Sequence, residues 1–88
     1  MPKPKKPKLP PDPEAMNKDR GQWAEAALQT FMNETGTDPG DAICDLIADM
    51  AHLCDRSLQY GRMEPNIRRG MGHYIEETSR KGKQFEEL

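Results

Sequence analysis

Between residues 38 and 60, apolar positions recur every three or four residues: Ile43, Leu46, Ile47, Met50, Leu53, Cys54 and Leu58. At about 100° per residue they gather on one arc of roughly 140°, which predicts an amphipathic helix and not a strand. Its ends are punctuated. Asp38 is placed to cap it, Pro39 takes the first position where a missing N–H costs nothing, and Asp41 faces the free N–H groups of the first turn. Gly61 is the expected stop. A second pattern, over residues 17–35, puts Trp23, Ala24, Ala27, Leu28, Phe31 and Met32 on one half of the wheel, with Gln22, Glu25, Gln29 and Asn33 on the other. Asn17 is the expected cap and Gly36 the left-handed terminator. A third follows Glu64-Pro65, where Ile67, Met71, Tyr74, Ile75 and Thr78 share one side as far as residue 80. Gly70 and Gly72 each cost this helix about 1 kcal/mol relative to Ala, so it depends on packing. They also read as points where another helix backbone approaches.

No strand pattern occurs, and the connections are short. The expectation is an all-α protein, a three-helix bundle. Its core anchors should be Trp23, Phe31, Ile47, Met50, Met71 and Tyr74. The helical domain should span residues 16–80, followed by a frayed tail over 81–88. Residues 1–15 read differently. Their first thirteen positions hold six prolines and the four lysines Lys3, Lys5, Lys6 and Lys8, with almost nothing apolar. Such a segment cannot offset its ordering entropy and is expected to be a disordered, polyproline-like arm.

Charge sharpens this division. The chain of 88 residues carries a formal −2, and the arm's four lysines conceal a −6 over residues 12–88. A negative body disfavours non-specific nucleic-acid binding, which needs clustered cations. No apolar run is long enough to span a bilayer, and the start lacks the apolar stretch of a signal peptide, so a cytoplasmic protein with no membrane partner is expected. Cys44 and Cys54 stand ten residues apart on one predicted helix, about 15 Å along its axis, too far for a mutual disulfide. Two reduced thiols are expected.

Three sets of residues invite a chemical reading. Asp41, Asp45, Asp49, His52 and Arg56 fall within about 80° of the wheel, opposite the apolar arc. Carboxylates one turn apart beside a His suit a divalent cation or acid–base work, but converging ligands from a second element are missing, and a solvated outer face explains the stripe. Cys44, His52, Cys54 and His73 lack the C-x₂₋₄-C or H-x₃₋₅-H spacing of structural zinc. The basic residues Arg62, Arg68, Arg69, Arg80, Lys81 and Lys83 raise a helix-turn-helix reading, which Glu64, Glu76 and Glu77 interrupt.

The run Asp45-Leu46-Ile47-Ala48-Asp49-Met50-Ala51-His52-Leu53-Cys54-Asp55-Arg56, followed by His73-Tyr74-Ile75-Glu76-Glu77, resembles a known pattern. It is similar to small bacterial proteins of unassigned activity carried on plasmids, phages and integrative elements, with a D-L-x-x-D-L-x-H-x-C-D-R helix and an H-Y-x-x-E ending. The resemblance spans about residues 20–78 and implies a mobile-element setting, with no catalytic residue to carry over. The sequence thus leads to a non-enzymatic interaction protein with no catalytic, metal or cofactor residues, binding a protein partner or a second copy of itself. The candidate partner surface is Asp45, Asp49, His52 and Cys44. The alternative is a DNA-binding regulator using Lys3, Lys5, Lys6, Lys8, Arg68 and Arg69.

Overall fold

The computed structural model describes residues 8–78. Three helices follow in order: α1 (Asn17–Thr35), α2 (Pro39–Arg56) and α3 (Met63–Glu77), with a 3-10 turn over Leu58–Tyr60 between the last two. No strand occurs among the described residues. The protein is all-α with three helices, as the periodicities predict. Lys3, Lys5 and Lys6 of the arm and the expected tail over 81–88 lie outside the described residues, as do Arg80, Lys81 and Lys83.

The helix boundaries follow local chemistry closely. Gly36 adopts a left-handed φ of 73° and donates its N–H to the Met32 carbonyl at 2.8 Å, ending α1. Asp38 is extended and holds the cap position without the expected side-chain bond, its carbonyl accepting from the Asp41 N–H at 3.0 Å, and Pro39 opens α2. At the start of α1 the capping duty falls elsewhere than expected. Asp12 Oδ1 accepts from the N–H groups of Met16 at 3.1 Å and Asn17 at 3.3 Å. Asn17 becomes the first helical residue, and its Nδ2 donates instead to the Glu77 carbonyl at 3.0 Å. A carboxylate serves the positive end of a helix better than an amide does, and this leaves the amide available for a distant partner.

α2 ends at Arg56, four residues before the expected limit at residue 60. Ser57 turns extended and donates its N–H to the Leu53 carbonyl at 2.9 Å. The chain then folds through the 3-10 turn and Gly61, whose φ is 77°. Asn66 holds this corner, its Nδ2 donating to the carbonyls of Tyr60 and Arg62, both at 2.9 Å. These bonds reward a corner that an uninterrupted helix could not make, and Ser57, a weak helix former, yields to it. α3 begins at Met63, so Pro65 sits at its third position and not its first; N–H groups there still lack intrahelical partners.

The expected core is largely absent. Among the described residues only Ala42 and Thr78 are fully buried. Phe31 and Met71 are half-buried, but Ile47, Met50 and Tyr74 are exposed, and Trp23 stands 65% exposed. Trp23 misses because the half-buried residues of α1, including Leu28 and Phe31, define a face that it leaves by roughly 80° or more. Ala24 lies on that face, midway along the helix, and is exposed. α1 is therefore held near its two ends and unbacked between them. At one end it meets α2; at the other, Asn17 and Arg20 reach Glu77 of α3. The frame is flat, 43 × 38 × 22 Å.

Candidate interaction surface

α2, the 3-10 turn and α3 enclose a groove of about 440 Å³. α2 supplies Ile47, Met50, Leu53 and Cys54, the middle of its apolar arc. α3 supplies Met63, Ile67 and Met71 from the matching stripe, spaced four residues apart so that they stack along one side. Tyr60 stands at the corner end. Asn66 is the polar member of the lining, and its amide is already engaged with the corner carbonyls. Gly70 lines the groove too, and a methyl group built on it would meet nothing within 4 Å. The same holds for Gly72, so among the described residues neither glycine meets a close helix approach.

The groove is open to solvent. Leu53 is 46% exposed and Tyr60 51%. Tyr60 brings its one phenol and Cys54 its one thiol. What it offers is flexible apolar contact, rich in methionine, the kind of surface that receives an amphipathic helix. Sequence reasoning found the α2 side chains with Ile67 and Met71 and assigned them to an interior; Met63 and Tyr60 it placed in neither stripe. Periodicity reports which face is apolar; it does not report what covers that face.

The other candidate residues are placed plainly. Asp41, Asp45, Asp49 and His52 are all exposed on α2, and by helix geometry Asp45 and His52 point away from the groove. Arg56 donates to the His52 carbonyl at 3.1 Å and forms no ion pair with the stripe. Among the described residues no three His, Cys, Asp or Glu side chains come together in a way that could hold a metal ion. Cys44 is exposed and Cys54 half-buried, both as free thiols. Lys8 is exposed. Arg68 pairs with Glu64 one turn earlier at 3.1 Å, both largely in solvent, where such a pair contributes little. With Arg62 and Pro65 they border a shallow hollow of about 300 Å³. Arg69 is exposed on the side of α3 away from the groove.

A second cluster was not foreseen. Arg20 forms ion pairs with Glu14 at 3.1 Å and Glu77 at 3.3 Å, and its Nη1 donates to Asn17 Oδ1 at 2.7 Å. It joins the segment before α1 to the last turn of α3. Glu14 and Arg20 are separated by a turn in which Ala15 takes a positive φ of 56°, a conformation no sequence pattern announces. Among the described residues, no helix is long and apolar enough to cross a membrane. No family model, curated protein or solved structure matches the chain.

Proposed function

We propose that this chain is a small, non-enzymatic interaction protein that binds a protein partner through the apolar groove between α2 and α3. The observation that supports this is the groove itself: a largely apolar surface left uncovered by the chain's own helices. Exposed apolar surface of this extent marks an interaction site in a protein that has to remain in solution. The acidic outer face of α2, with Asp45, Asp49, His52 and Cys44, plays the lesser part of steering and orienting the encounter. A cytoplasmic setting and a mobile-element origin, the latter resting on the Asp45–Arg56 pattern, belong to the same proposal, and the neighbouring genes test the origin.

A photo-activated cross-linking residue at position 50 or 53, in the full chain expressed in cells, tests the site. Groove positions should yield discrete protein adducts, while position 29 on the outer side of α1 should yield none. Equal labelling from all three positions, or none from the groove, would sink the reading.

A further inference from the structure

We infer that the occupant of the groove is a second copy of this chain, seated about a twofold axis so that Leu58 of each copy enters the groove of the other. This rests on the reading of the groove as a protein-binding surface, and it names the partner.

Three observations carry it. The first is area. In the groove Ile47, Met50, Leu53 and Tyr60 are each between 38% and 51% exposed, and Leu58 beside its end is 97% exposed. At roughly 150–250 Å² per large side chain this leaves about 500 Å² of apolar surface per chain, or about 1,000 Å² across a symmetric pair, the size at which specific interfaces begin. The second is the lack of an interior. With Ala42 and Thr78 as the fully buried residues among those described, the helices do not cover one another enough to offset the ordering of their backbone. Their cover must then be present whenever the chain is folded. A transient partner does not meet that condition, whereas another copy is made at equal abundance. The third is self-complementarity. A twofold interface uses the same patch on both chains, so it needs a projection and a hollow side by side. Leu58 is 97% exposed and touches almost nothing of its own chain, yet it lies two residues from Tyr60 at the end of the groove. Gly70 in the groove wall leaves space that none of the described residues fills.

Sedimentation equilibrium on the full chain, with thermal unfolding over a hundredfold range of concentration, tests this directly. The expected result is a species of about 20 kDa, twice the 10.0 kDa chain, whose Tm climbs with concentration. Leu58→Asp should weaken association at least tenfold, since it removes no contact within the chain. Where that variant fails to fold, mixed labelled and unlabelled wild-type protein supplies the second measurement: intermolecular NOEs should link Leu58 methyls to Met50 and Leu53. A 10 kDa species with a concentration-independent Tm would overturn the proposal. So would a dimer whose intermolecular NOEs avoid the groove. A monomer that still cross-links from positions 50 and 53 to a different protein overturns the second copy while sparing the interaction reading; a monomer with no groove adducts removes both.

Discussion

The junction of α1 with α3 and the groove between α2 and α3 solve the same problem, joining two helices, in opposite ways. At the first, Arg20, Glu14, Asn17 and Glu77 satisfy one another with short polar contacts, and the chain completes the joint unaided. At the second, apolar side chains line both walls and face solvent. Charge-assisted contacts are directional and close in pairs, so a few residues suffice. Apolar cover scales with area, and three helices held mainly at their ends do not have that area to give. The polar joint sets the frame; the apolar one is left for whatever completes it.

Substitutions put this contrast to measurement. Ile47→Asn places an amide among apolar side chains and should cost about 2–4 kcal/mol, with the loss growing as protein is diluted. Chemical denaturation at two concentrations measures it, and an effect that does not depend on concentration would mean the groove closes within one chain. Arg20→Met strips Glu77 and Asn17 of a shared donor and should cost about 1–2 kcal/mol at every concentration. Asn66→Ala releases the corner between α2 and α3 at about 1 kcal/mol, visible as faster amide exchange at Gly61 and Arg62. Gly70→Ala is a test of sign. In an isolated helix it should stabilise by about 0.5–1 kcal/mol, and if another backbone lies close against the groove wall it should instead weaken association. Asp45→Asn with Asp49→Asn should move stability by no more than about 0.5 kcal/mol, leaving the outer face of α2 as solvated surface.

Much of the fold was legible because its signals are local. Pro39 and Gly36 mark helix ends through the conformations they allow, and the apolar spacing of α2 and α3 follows from 3.6 residues per turn. Ser57 escaped notice because the corner that interrupts α2 is held by Asn66, nine residues downstream. Arg20 and Glu77 are separated by most of the domain, so their pairing has no sequence signature. Trp23 was misplaced for a related reason. A large aromatic on the apolar half of a wheel anchors a core only where a neighbour lies opposite, and α2 meets α1 further along. The α2 arc and the Ile67 and Met71 positions of α3 were legible as two separate stripes, without Tyr60 and Met63, yet their exposure depends on how few helices share the covering.

The two thiols of α2 give this arrangement an internal gauge. Cys44 stands in solvent on the outer flank, and Cys54, ten residues later on the same helix, sits half-buried in the groove wall. Any alkylating reagent meets both at one concentration, pH and temperature, so Cys44 serves as the internal reference against which a change in the rate at Cys54 is read. As the groove fills, Cys54 should fall silent while Cys44 keeps its pace. The wild-type chain can thus report its own occupancy, with no foreign probe added.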